Sequence, residues 1–168
     1  MPYHEDEIMC MALHPTRPLV LTGGSEGMVY GAHYVTGENS GRIGKHKDGC
    51  ESVAISDELN MGVSCSIDNE ILIYDLKGLT VRHRVTPTQF GGFTKVQFST
   101  IPIMDSQGDK SIMLYAASTL GDLFIIDVRS GVVVKAFKGH AAPINYFVEA
   151  KQREWVITAG DDNQCNIF

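Results

Sequence analysis

Short apolar runs recur along the chain, each closed by a polar turn. In CESVAIS (50–56), MGVSCS (61–66) and EILIYDL (70–76) three such runs follow one another, broken by DELN and IDN. The same order returns in PINYFVEA (143–150), EWVITAG (154–160) and QCNIF (164–168). β-branched and aromatic residues fill the runs, and Gly, Asn and Asp lie between them, a pattern that predicts strands joined by tight turns. VRHRV (81–85) and VVVKAFK (132–138) predict a further strand behind the second and third groups. No stretch carries a sustained helical period, and an all-β chain is expected.

The runs are copies of one unit. His4, His46 and His140 are each followed 18 residues later by a hydroxyl (Thr22, Ser64, Thr158) and 22 later by an acid (Glu26, Asp68, Asp162). A further position 28 after each histidine holds Ala32, Tyr74 and Phe168. A fourth copy lies between Tyr74 and His140; its ending GDLFIIDV aligns Ile126-Asp127 with Tyr74-Asp75, and Gln89 takes the histidine position. There the spacing grows by nine residues, which IPIMDSQGDKS (101–111) accounts for as an insertion, expected to be a mobile loop. The repeat ends fall at 32, 74, 126 and 168. Four short strands in about 42 residues, closed by an aromatic-Asp pair, match one propeller blade. Blades are expected at 4–44, 45–88, 89–138 and 139–168, the last without its outer strand.

At Gly139-His140 and Tyr74-Asp75 the chain resembles the WD-repeat family. That resemblance implies a hydrogen-bonded set of His, Ser or Thr, Asp and an aromatic in each blade. It would place His46, Ser64, Asp68 and Tyr74 together in the second blade, and His140, Thr158, Asp162 and Phe168 in the fourth. The first blade would offer His4, Thr22 and Glu26. Phe168 and Ala32 lack the hydroxyl that Tyr74 brings, so two of the sets are incomplete. The runs HEDEIMCMALHPTRPLVLTGG, IDNEILIYDLKGLTVRHRV, KGHAAPINYFVEA and TAGDDNQCNIF are similar to the last four blades of the angio-associated migratory cell protein family. The resemblance implies part of a seven-bladed ring, with the missing blades upstream. It also implies a non-enzymatic scaffold that acts, as the family's fungal relatives do, as a chaperone of a large-subunit ribosomal protein. A signalling or trafficking adaptor is the alternative, and a propeller hydrolase a third.

Composition narrows the partners. The 168 residues are 43% apolar and 20% charged, enough for a folded core. Fourteen basic against 20 acidic residues, a formal charge of −6, argue against a direct nucleic-acid or anionic-membrane binder. Four dispersed cysteines without a CxxC pair read as apolar fillers in a reducing compartment. The start MPYHEDE has neither a basic region nor an apolar core of a signal peptide. A cytoplasmic protein, with the nucleus as a second location, is expected.

Few motifs suggest chemistry. HEDE at 4–7 fails the HExxH pattern at Ile8, and GGSEG at 23–27 is not followed by GK[ST], so neither a metal nor a cofactor is expected. The His, Ser/Thr and Asp trio recurs across the blades, as architecture does and a catalytic triad does not. Recognition is left to the loops. Glu5, Asp6, Glu7, Asp48 and Asp161 fall in loops that share one end of a propeller, with Lys47 as the nearest basic exception. They read either as a docking face for a basic protein segment, such as the arm of a ribosomal protein, or as a solvated rim that maintains solubility. Trp155 reads as interface hot spot or as packing.

Overall fold

A computed structural model describes residues 4–87, 91–104 and 108–168. Seventeen strands and no helix are found among them. The first sheet orders β1 (Ile8–Leu13), β2 (Leu19–Gly24), β3 (Met28–His33) and β4 (Glu38–Lys45) as a meander. β5 (Cys50–Ser56), β6 (Met61–Ser66), β7 (Ile71–Asp75) and β8 (Thr80–Val85) repeat it. In the third sheet, β9 (Phe93–Phe98) is followed by a two-stranded hairpin, β10 (Ile103–Met104) and β11 (Lys110–Ser111), before β12 (Met113–Ser118), β13 (Asp122–Asp127) and β14 (Val132–Lys138) resume the meander. β15 (Ile144–Ala150), β16 (Trp155–Gly160) and β17 (Cys165–Ile167) form a three-stranded last sheet.

The insertion expected to be a mobile loop therefore pairs with itself, Ile103 opposite Ser111 and Met104 opposite Lys110. Its ends leave adjacent strands β9 and β12, so the excursion is held at a hairpin's base, and its backbone groups find partners in each other. Residues 105–107 at its tip lie outside the described residues, as does Gln89.

Innermost strands β1, β5, β9 and β15 pack against one another in turn, so the four sheets stand as successive blades of a partial β-propeller. Three apolar clusters fill the three junctions. Leu21, Val29 and Ile43 meet Val53, Leu72 and Tyr74 between blades one and two. Val63, Ile71 and Ile73 meet Phe93, Leu114 and Phe124 at the second junction. Tyr115, Leu123 and Ile125 meet Ile144, Phe147 and Val156 at the third. Alternation along each strand explains this: one face of a blade packs backward and the other forward, and strands buried on both faces read as near-continuous apolar runs. Every residue of β6 and β12 is buried for that reason.

Candidate functional site, the loop end of the blades

Lettering the strands of a blade a to d from the inside outward, the b–c turns of the first and third blades are each bonded to the start of the following blade. His46 donates its backbone N–H to Gly27 O at 2.9 Å, and His140 donates to Gly121 O at 3.2 Å. Ser25, in the first b–c turn, donates to Glu7 O at 2.8 Å. These bonds gather the d–a and b–c loops at one end of the arc. Beneath them lie the repeated polar residues.

In the second blade His46 Nε2 lies 2.7 Å from Ser64 Oγ, and Ser64 Oγ lies 2.6 Å from the Tyr74 hydroxyl. Burial holds the His46 pKa below its ordinary value and pushes that of Tyr74 up. The Asp68 carboxylate facing Nδ1 favours the proton on that nitrogen, which assigns Nε2 as acceptor from Ser64, and Ser64 as acceptor from Tyr74. Asp68 stands 3.5 Å from His46 Nδ1, too far for a hydrogen bond. Its oxygens instead accept the backbone N–H of Lys47 at 2.7 Å and of Glu70 at 2.9 Å. Asp68 thus clamps the loop to the turn, and His46 Nδ1 is left without a hydrogen bond.

The fourth blade closes the set more tightly. His140 Nδ1 reaches Asp162 Oδ1 at 2.8 Å and Nε2 reaches Thr158 Oγ1 at 2.7 Å. Asp162 also accepts from the Ala141 and Gln164 amides, and its pKa falls, chiefly through the His140 hydrogen bond. Phe168 makes no polar contribution and stacks at a tilt on Phe137, ring centres 5.3 Å apart. In the first blade His4 Nδ1 reaches Glu26 Oε1 at 2.5 Å and Nε2 reaches Thr22 Oγ1 at 2.9 Å. The aromatic beside this histidine is Tyr30, edge-on at 4.8 Å, two residues before the Ala32 that spacing puts in that place. In the third blade Ala116 pairs with Phe124 as Ser64 pairs with Leu72, so an alanine fills the hydroxyl position. Removing donor and acceptor together is far less costly than orphaning one, and apolar packing substitutes there.

His46, Asp68 and Glu70 are near enough to share a cation. Their lone pairs are largely committed: Asp68 to two amides, Glu70 to Arg84 Nη1 at 2.7 Å and His46 Nε2 to Ser64. The cluster fits a structural clamp better than a metal site.

Above the clamps the rim is acidic. Glu5, Asp6, Glu7, Asp48 and Asp161 are all exposed. Asp161 is tied down: its backbone N–H bonds to Pro143 O, and its carboxylate accepts from Asn145 Nδ2. Glu51, which the repeat pattern did not single out, joins this group. Its pKa is raised by partial burial and then by the charge of Asp48. Lys47 is exposed among these carboxylates, while Arg84 is engaged by Glu70. At the opposite end, a cavity of about 290 Å³ lies under the hairpin, lined by Ile103, Met104, Tyr115, Glu149 and Phe168 among others. No His, Asp or Ser lines it among the described residues.

Trp155 opens β16 just after the turn from β15, at this same opposite end. It occupies the first position of β16, as Met61 does in β6, where Met61 is packed into the second junction. Trp155 itself is 43% exposed and has the Arg153 guanidinium 5.7 Å from its ring.

The family described as "WD domain, G-beta repeat" matches residues 1–30. The first blade, as far as Tyr30, is similar to that repeat. Angio-associated migratory cell protein from dog and from human are each 22% identical to the chain over 98% of its length. The chain spans 39% of those relatives. The crystal structure of the computationally designed Ika4 protein superposes with a TM-score of 0.78 at 15% identity, covering 98% of this chain and 92% of that one. WD-repeat proteins are generally non-catalytic scaffolds for protein interaction. The buried polar sets hold loops, and the exposed charges lie on those loops.

Proposed function

We propose that this WD-repeat chain is an interaction scaffold whose loop end holds a basic segment of a protein partner. The observation that carries the reading is the acidic rim: Glu5, Asp6, Glu7 and Asp48 are exposed on loops whose bases are fixed by His4, His46 and their partners. Preorganised loops lose little entropy on binding, and a field of one sign raises the encounter rate of an oppositely charged chain. Close approach of Glu51 to Asp48 raises the cost of holding both charges without a cation, so a Lys or Arg side chain relieves it. The likeness to angio-associated migratory cell proteins, over two-fifths of their length, favours a chaperone of a basic ribosomal-protein arm in large-subunit assembly, in cytoplasm and nucleus.

The test is titration of a Lys/Arg-rich peptide, followed by fluorescence anisotropy, against the chain and its Asp6→Lys, Glu7→Lys, Asp48→Lys triple variant. Binding should weaken by roughly tenfold or more in the variant and fall steeply with added salt in the parent. Equal affinity for both proteins overturns the acidic-face reading, and places any partner on the sides or the other end.

A further inference from the structure

Two cysteines of neighbouring blades face each other inside the first junction. Cys10 lies on β1 and Cys50 on β5, 40 residues apart in the chain, and their sulfurs are 3.8 Å apart. Cys10 Sγ also lies 3.2 Å from the Cys50 carbonyl oxygen. Gly23 leaves the space they share. It pairs with Cys10 in the register of β1 and β2, and an added Cβ there would collide with both sulfurs, 2.8 Å from Cys10 Sγ. A disulfide needs the sulfurs to close to about 2.05 Å, and the missing Cβ gives them room to turn. Apolar residues of both blades, Leu21 and Val29 with Val53 and Leu72, fill the same junction.

The repeat does not call for sulfur at these places. By register, Cys10 corresponds to Ser52 in the second blade and Lys95 in the third, and Cys50 corresponds to Phe93 in the third and Ile144 in the fourth. The other two cysteines stand apart. Cys65 is buried in the second junction, its sulfur 3.8 Å from the Phe93 carbonyl oxygen, and Cys165 is exposed on β17.

We infer that Cys10 and Cys50 are a reversible dithiol–disulfide site, oxidised by a hydroperoxide. Cys10, half-buried, meets the oxidant, and Cys50, fully buried, resolves it. The Cys10 thiolate attacks a peroxide oxygen and the O–O bond breaks. The departing alkoxide or hydroxide takes up the proton that the thiol gave, and Cys10 becomes a sulfenic acid. The Cys50 sulfur then attacks Cys10 Sγ; the S–O bond breaks, and the oxygen leaves as water with the Cys50 proton. In sum the two sulfurs lose two electrons and the hydroperoxide gains them, ending as one alcohol or water and one further water. Thiolate is the attacking form, and the hydrogen bond with Cys50 is the chief cause of a Cys10 pKa below the ordinary thiol value. Exchange with a small thiol such as glutathione restores both S–H groups.

The experiment exposes the reduced, folded chain to hydrogen peroxide, unfolds it in urea with N-ethylmaleimide, and reads the intact mass. The reduced chain should carry one maleimide on each of its 4 cysteines. The oxidised chain should lack two of them and regain them after dithiothreitol. Tryptic mapping without reductant should join the peptide of Cys10 to that of Cys50. Cys65→Ala should keep this link, which excludes the cysteine that shares the Cys50 peptide. In Cys50→Ala, dimedone should trap a sulfenic acid at Cys10, with no link formed. The oxidised parent should melt roughly 4–16 °C above the reduced one, because the bond closes a long loop of the unfolded chain. Full maleimide labelling of the peroxide-treated parent overturns the inference, and that result needs no variant to fold. A link to Cys65 or Cys165, a link between two chains, or Cys10 sulfinic acid in the parent without a link overturns it as well. A lower melting midpoint on oxidation overturns the claim that the junction accommodates the bond.

Discussion

Replacing Ser64 by Ala should cost more than any other single loss of a polar atom in the second blade. The Ser64 hydroxyl is the middle of a chain in which Tyr74 donates to it at 2.6 Å and it donates to His46 at 2.7 Å. All three side chains are buried. Removing the hydroxyl orphans a phenol donor and an imidazole acceptor at once. At about 1–3 kcal/mol for each orphaned group, the loss is about 2–6 kcal/mol. Tyr74→Phe, by contrast, removes the end of the chain and leaves the Ser64–His46 bond whole, for about 1 kcal/mol. Other blades carry related changes: the fourth keeps Thr158 and His140 with a phenylalanine in the aromatic position, and the third has Ala116 in place of the hydroxyl. Urea unfolding followed by circular dichroism gives the midpoints, with an unchanged slope expected for all variants. By melting, each kcal/mol should shift the midpoint by about 2–4 °C in a chain of this size. The Ser64→Ala, Tyr74→Phe double variant should be less destabilised than the sum of the singles by about 1 kcal/mol or more, since the second removal takes away an already orphaned donor. Tyr74→Phe equal to or worse than Ser64→Ala, or strict additivity, would refute the relay.

Acidification should destabilise the fold in two stages. His46 has a folded pKa below its ordinary 6.5, so its contribution is intact above that pH and is lost as the unfolded chain takes up the proton below it. Asp162 has a folded pKa below its ordinary 3.8, so its contribution persists above that value and is lost as pH falls through the folded pKa. Urea midpoints measured from neutral pH downward should fall in both windows, and His46→Gln should remove the first. Gly121→Ala should destabilise by about 1–3 kcal/mol, because the residue holds φ +85° and an added Cβ would lie 2.3 Å from the His140 carbonyl oxygen. Thermal melting checks it; an unchanged midpoint would mean the turn between β12 and β13 is not confined against the start of the fourth blade as described.

Strand order, turns and the fourfold repeat were legible in the chain, because alternation and turn chemistry are local and the repeat states them four times. His46, Ser64 and Tyr74 were likewise legible, since equal spacing in equal blades brings equal positions together. Distance along the chain did not reveal which neighbour each group selects. Tyr30 lies against His4 where Ala32 was expected, because the first blade's ring contact comes from two residues earlier on the same face of β3. Asp68 holds amides, and only Asp162 truly bonds its histidine, a difference of 0.7 Å that no motif encodes. Glu51 acquired its raised pKa only when folding partly buried it and set it beside Asp48. The insertion became a hairpin because its two ends leave neighbouring strands. Most of all, sequence made every blade apolar on both faces, but only tertiary structure decided which faces are covered. Burial needs a neighbour, and a neighbour is a property of the assembled arc and not of the repeat.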